Sequence, residues 1–396
     1  MSNTLKFGAG KWAAKAGSVL AYNDENNNFK PLPFTFTRAS AATRVNESGL
    51  IESVASGVPR IDFLDNADGH LLLEPSRTNI VPYSEAFDNA AWSKSALGIG
   101  STPVVTANQG LSPDGTMTAD RIVLDLNGGV SSDDSSFLSE VVTVSSGATV
   151  SLTIYLKSNT GLTQNLIMWE AFTGEAISCV VTNEWQRFNV IATAPSTSSG
   201  FRFGLRNAFG VTVDDTADIL AWGAQAEEGS YATSYIPTSG SSVTRAVDAS
   251  VQTPLSGIIG QTEGTLFVKF NADGVSTAAR AIVYITQDST TANRIAFQYT
   301  ATGQVQAIVS RAGVTQGSVV HTITGLCKAA FAYSASGYEL FINGSSIGTF
   351  SGSLPVSLLK IDLGNIPSLA TMGGGLSQVQ LYNTRLSNSE LAALTS

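Results

Sequence analysis

Between Val150 and Lys157 apolar and polar side chains alternate at every residue, with Val150, Leu152, Ile154 and Leu156 set against Ser151, Thr153, Tyr155 and Lys157. A period of two gives a strand one buried and one wet face, and it cannot supply the 3.6-residue stripe of a packed helix. The same alternation places Phe201, Phe203 and Leu205 against Arg202, Gly204 and Arg206, and it recurs at Leu266, Val268, Phe270, at Ile295, Phe297, Tyr299 and at Val305, Ala307, Val309. Composition points the same way. Charged residues are only 13% and glycines number 37, with Ser, Thr and Asn in place of the Glu, Lys and Leu that long helices need. The expected class is all-β.

At 396 residues the chain exceeds one ordinary core. Residues 1–80 read as a small β-meander of short strand-like pieces (PFTFTRAS, ATRV, GLIESV, PRIDFL, HLLLEP) punctuated by Asn46–Gly49 and Asp65–Gly69 turns. With few apolar residues, this segment is expected to pack on the next domain or on a neighbouring subunit. Residues 81–250 read as a jelly-roll β-sandwich, ending in a linker, PTSGSSVTRAVDAS. Residues 251–396 form a second jelly-roll sandwich. Its best hairpin runs from Tyr338 to Ile342, turns at Asn343-Gly344, the pair that best fits a type I′ turn, and returns through Phe350. Ser387 and Glu390, at capping-box spacing, predict a short helix at the C-terminal end.

The net charge of −9, with no basic cluster to offset it, repels phosphate backbones and excludes nucleic acid as a partner. No run approaches the roughly 20 apolar residues of a membrane span, and the first residues lack a secretory apolar core, so the chain is expected to be made in a cytoplasm. Cys179 and Cys327 lie in apolar surroundings in different domains and are expected to be two buried free thiols.

No catalytic or cofactor motif is complete, and the chain is expected not to be an enzyme. The two histidines, His70 and His321, lie in different segments with no zinc-like ligand spacing around them. Gly344–Gly348 matches the nucleophile pattern G-x-S-x-G at Ser346, but it leads from a hairpin turn into a strand, whereas a nucleophile elbow leads into a helix. Glu170, Glu175 and Glu184 lie beside Trp169 or Trp185 and are the acids a glycosidase reading would use; solvated strand ends explain them equally. No internal repeat of the β-helix kind is present.

Ligand binding has better material. Sugars are held by aromatic faces and by planar polar side chains. The alternation puts Tyr155, Lys157, Arg202 and Arg206 on wet faces of the middle domain, with Trp169 as a further aromatic; the competing expectation is that the arginines pair with local carboxylates and Trp169 fills the core. Trp185 and Trp222 are expected in the core, and Trp92 as a lid or staple. The acid pairs Asp133-Asp134 and Asp214-Asp215, with Asp218, form the set from which a structural calcium ion could be held; solvated loops are the alternative, and no other cofactor is implied.

The block from Phe34 to Lys94 (FTRASAATRVNESGLIESVASGVPRIDF, then HLLLEPSRTNIVPYSEAFDNAAWSK) resembles a module of tailed-bacteriophage virion proteins of tail-fibre or head-fibre type. The stretch from SPDGTMTADRI through NEWQRF to AWGAQAEEGSYATSYIPTSGSSVTRA is similar to the carbohydrate-binding-module-like sandwich that follows it in such proteins. YELFINGSSIGTF and VQLYNTRLSNSELAALTS resemble laminin-G/concanavalin-like jelly rolls. The resemblance implies a virion protein made in the bacterial host, attached to other virion proteins through its first segment, homotrimeric, and facing a host surface polysaccharide. It also implies structural calcium, which both kinds of sandwich often carry. A head-fibre or capsid-decoration role with protein contacts alone is the second expectation.

Overall fold

The computed structural model describes residues 5–8, 13–15, 18–25, 28–255, 257–272, 279–323, 325–367 and 369–396, with side chains from Phe34 onward. Strands dominate, as the alternation predicts. The chain falls into two compact units, residues 77–245 and a second built from 1–76 together with 246–396.

The unit of residues 77–245 is a sandwich of two five-stranded antiparallel sheets. One has the order Ser93–Leu97, Ser135–Thr143, Ser198–Arg206, Gln164–Glu170, Ala176–Val181; the other has the order Ser101–Gly110, Ala119–Asp125, Thr216–Glu228, Thr149–Ser158, Gln186–Thr193. The chain crosses repeatedly between them, in the manner of a jelly roll. Val150, Leu152, Ile154 and Leu156 of one sheet and Phe201, Phe203 and Leu205 of the other point inward, all fully buried. Trp92 is neither lid nor staple. It sits in this core, with ring centroids 5.0 Å from Phe87, 5.6 Å from Phe201 and 5.9 Å from Phe203. Burying such a side chain stabilises by roughly 1.5–3 kcal/mol.

The other unit departs from the expected three-segment division at 80 and 250. The N-terminal strands do not stand apart as a meander but belong to the C-terminal sandwich. Leu5–Gly8 pairs antiparallel with Gly374–Tyr382, and Ser18–Glu25 pairs with Asn28–Thr37, which in turn pairs with Ala249–Gln252. Those pairings link one run of strands (Lys360–Leu363, Arg280–Thr286, Arg294–Tyr299, Gln304–Arg311, Val314–Thr322) to another (Glu263–Ala272, Cys327–Ser334, Gly337–Ile342, Ser345–Phe350). Phe34, Phe36, Leu71 and Leu73 share a core with Phe270, Phe297 and Phe331. The segment thus buries its few apolar residues against strands more than 180 residues away in sequence.

The presumed linker is ordered at both ends. Val243–Arg245 pairs with Arg77–Asn79, and Asp248, fully buried, accepts from Arg38 Nη1 (3.1 Å), from Arg60 Nη2 and from the Glu74 backbone N–H (2.9 Å). Arg60 Nη1 also meets Glu74 Oε2 at 2.7 Å. Burial opposes the Arg60 charge, but the two carboxylates outweigh it and hold its proton more tightly than usual. This network sets two buried cations against two carboxylates and so offsets charges that burial alone would make costly. The expected hairpin is present, with φ of 46° at Asn343 and 84° at Gly344 as a type I′ turn requires. So is the final helix, Asn388–Thr395, with Ser387 and Glu390 in a capping box. Cys179 and Cys327 are free, buried and in different units.

Candidate ligand-binding faces

The residues singled out for ligand binding all lie in the unit of residues 77–245, but on opposite sheets. Arg202, Arg206 and Trp169 belong to one sheet, Tyr155 and Lys157 to the other. Outward faces of opposite sheets point away from each other. The five residues therefore do not form one site.

On the first sheet the strand Ser198–Arg206 sends Phe201, Phe203 and Leu205 inward and Arg202 and Arg206 outward. Phe137 stands opposite Gly204 on the neighbouring strand, on the same outer face. A Cβ at Gly204 would lie 2.4 Å from the Ser136 carbonyl oxygen, so only glycine admits this close approach. The Arg202 guanidinium lies 5.2 Å from the Phe137 ring centroid, and its Nε donates to Ser139 Oγ at 3.3 Å. Arg206 repeats the arrangement. Its guanidinium lies 5.4 Å from the Phe209 centroid, and its Nε donates to the Ser132 carbonyl at 2.8 Å. Among the described residues neither arginine has a carboxylate within ion-pair reach, so the expected pairing with local acids is not what occupies them. Burial, aided by the like charge of Arg206 and opposed by Glu170, lowers the Arg202 pKa from its ordinary value.

Trp169 is not a contact residue. It stands opposite Arg202 in register, but it is 1% exposed, with its ring 5.3 Å from Phe137. A large apolar ring on an outward position is covered by its neighbours when they can reach it, and here they do. Phe137 and Phe209, which the sequence reading passed over, are the aromatics that meet the arginines. The alternation through SSFLSEVV would have placed Phe137 on the wet face.

On the second sheet Tyr155 lies between Arg187, whose guanidinium is 5.3 Å from its ring centroid, and Trp222, 5.6 Å away. Arg187 is spent on the Thr233 carbonyl and Thr153 Oγ1. Lys157 has no hydrogen-bond or ion-pair partner among the described residues. Trp185 directly precedes the strand whose Gln186 pairs with Leu156, and it is half-buried rather than in the core as expected, with Nε1 donating to the Leu111 carbonyl at 3.0 Å. Trp222 is buried, as expected.

The aspartates of the calcium expectation, Asp133 apart, take hydrogen bonds from nearby groups. Asp134 accepts from the Ile99 and Ser131 backbone N–H groups, Asp214 from Asn165, and Asp215 from Gly128. Asp218 takes a two-pronged bond from Arg121 at 2.8 and 2.7 Å, which lowers its pKa. Asp133 is exposed. Among the described residues no group of three or more His, Cys, Asp or Glu is placed to hold a metal ion. The carboxylates instead cap loop backbones, which also binds oxygen lone pairs productively. Asp214, Asp215 and Asp218 do share a groove of about 460 Å³ with Thr160, Leu162 and Gln164.

The acids of the hydrolase reading are placed likewise. Burial raises the Glu170 pKa, but hydrogen bonds from the Gly200 backbone N–H (2.7 Å), from the Thr173 hydroxyl and backbone and from the Phe172 backbone bring it below the ordinary value, so this carboxylate staples a turn. Glu175 and Glu184 are exposed. Ser346 lies in a strand and donates to Glu339 Oε1 at 3.0 Å.

No protein-family model matches this chain, and no curated protein matches it in sequence. Solved structures that align with it include the Ruminococcus gnavus IT-sialidase CBM40, 17% identical over 36% of this chain and 91% of that one, with a TM-score of 0.32. Domain 4 of AbnA, a GH43 extracellular arabinanase from Geobacillus stearothermophilus in complex with arabinotriose, is 11% identical over 38% of this chain and 73% of its own, with a TM-score of 0.31. A Trypanosoma rangeli sialidase aligns over 96% of this chain and 82% of its own at 11% identity and a TM-score of 0.31. Likenesses this distant assign no ligand and no activity.

Proposed function

We propose that this chain is a non-catalytic glycan-binding protein of a tailed-phage virion, in which the unit of residues 77–245 carries the ligand face. The observation that carries the glycan reading is the outer face of the first sheet. Two arginines stand there beside aromatic rings, four residues apart on one strand, with no carboxylate among the described residues in ion-pair reach of them. Planar guanidinium forks held on aromatic rings are suited to sugar recognition, and of the two rings Phe209 is half-exposed while Phe137 is buried beneath Arg202. The virion assignment rests on the sequence resemblance alone. The second unit, whose core holds its aromatic residues inward, serves as the subunit contact or spacer.

The test is a bacterial-polysaccharide array probed with the full chain and with the double variant Arg202→Ala/Arg206→Ala, combined with labelling of the protein on intact particles. Binding to host polysaccharide that falls at least tenfold in the variant, with an unchanged melting profile, is the expected result. Capsid labelling with no polysaccharide bound supports a decoration role with protein contacts only. Release of reducing ends from a bound polymer would replace both readings with a hydrolase.

A further inference from the structure

The two arginines are prepared alike, and that preparation selects a charge type. In each, Nε is tied to an oxygen of the protein, Ser139 Oγ for Arg202 and the Ser132 carbonyl for Arg206, and the guanidinium plane lies near a phenylalanine ring. The terminal Nη1 and Nη2 groups of both make no hydrogen bond among the described residues. A guanidinium fixed at its inner nitrogen and stacked on a ring has lost much of its rotamer freedom before any ligand arrives, which removes part of the cost of binding.

The ring beneath Arg206 comes at a cost of its own. Phe209 has φ of 56°, a left-handed conformation that a bulky residue rarely adopts, and it stays half-exposed. Its ring lies over Gly174, where a Cβ would come within 2.8 Å of it. Strain of this kind persists where surrounding structure enforces it and concentrates at ligand clamps. Phe209 is not among the buried core residues of its unit, and its ring meets Gly174 and Arg206.

Neutral hydroxyls would give such forks ordinary hydrogen bonds. Anionic oxygens give charge-assisted, two-pronged bonds roughly twice as strong, and they supply the counter-charge this face lacks. The positive face is held on a chain of net charge −9. Residues four apart in a strand have Cα atoms about 13 Å apart, a span that suits anionic groups carried on separate sugar rings.

We infer that the face formed by Arg202, Arg206, Phe137 and Phe209 binds an acidic oligosaccharide, with anionic groups on separate sugar rings seated on the two guanidinium forks. This rests on the glycan-binding reading above and adds the substrate class. Carboxylate and phosphate share the needed chemistry, and the experiment separates them. Each polysaccharide bound on the array is offered again after its charge has been removed, by carboxyl reduction for uronate or sialate polymers and by dephosphorylation for phosphate-bearing ones. The expected result is that every bound polymer is acidic, that neutralising the relevant group weakens binding at least tenfold, and that Arg202→Lys/Arg206→Lys loses a similar factor although it keeps both charges. Binding that survives neutralisation, or strong binding to neutral polymers, overturns the acidic class and leaves glycan binding standing. Absence of any bound polysaccharide overturns the glycan reading, and this inference with it. A melting curve of the lysine variant superimposable on the parent's keeps loss of fold from counting as support.

Discussion

Replacing Asp248 with alanine should destabilise the unit formed by residues 1–76 and 246–396 selectively. The carboxylate is fully buried between Arg38 and Arg60, whose side chains are also fully buried, and it accepts the Glu74 backbone N–H as well. Its removal takes from Arg38 and Arg60 the buried carboxylate that they share. Breaking a buried ion pair from one side costs about 3–5 kcal/mol, against a total stability of roughly 5–15 kcal/mol for a folded domain. At about 2–4 °C per kcal/mol for a unit of this size, melting should fall by roughly 6–20 °C. The two buried thiols let each unit be followed separately. Burial pushes both cysteines up to about 12, so neither reacts while folded, and Cys327 reports the unit that holds Asp248 while Cys179 reports residues 77–245. Peptide-resolved thiol labelling along a denaturant series should show the Cys327 midpoint fall sharply in the variant and the Cys179 midpoint stay in place. A Cys327 midpoint equal to the parent's would refute the argument that this network ties the N-terminal strands into the C-terminal sandwich.

A carboxylate and a glycine give the remaining predictions. Glu140 points toward the core of the unit of residues 77–245, its Oε2 has no hydrogen-bond partner among the described residues, and burial raises its pKa from 4.5 to about 7. Below pH 4.5 the group is neutral whether the chain is folded or not; between pH 4.5 and 7 the unfolded chain gives up its proton first, so this group's contribution to stability falls as pH rises. Glu140→Gln should therefore gain stability over the parent across that window, by about 1–2 kcal/mol once partial access to solvent is allowed for. A constant difference between the two from pH 4 to 8 in denaturant titrations would show that the carboxyl is not desolvated. Gly204→Ala must push its new Cβ into the Ser136 carbonyl, and a loss of about 1–3 kcal/mol is expected; an unchanged thermal melt would mean that the Phe137 strand moves aside freely.

Much of this molecule could be read from local pattern. A strand's alternation, a turn's need for positive φ at Asn343-Gly344 and a capping box at Ser387 and Glu390 each depend on a few neighbouring residues, and all three stand where the sequence put them. The outward direction of Arg202 and Arg206 follows from the same period of two. What no local pattern contains is the partner of each strand. Pairing of Leu5–Gly8 with Gly374–Tyr382 spans nearly the whole chain, and the shared core of Phe34 and Phe331 spans most of it. Sheet membership likewise separates Tyr155 and Lys157 from Arg202 and Arg206, although both pairs face outward. Cover is also a tertiary property. Trp169 is outward by alternation yet sealed by its packing with Phe137, and the aspartates of the loops are used up by backbone N–H groups and by Arg121. The sequence by itself determined which residues turn toward or away from a core; only the tertiary structure decided which core that is and which outward residues meet solvent together, because those depend on contacts between strands that are distant along the chain.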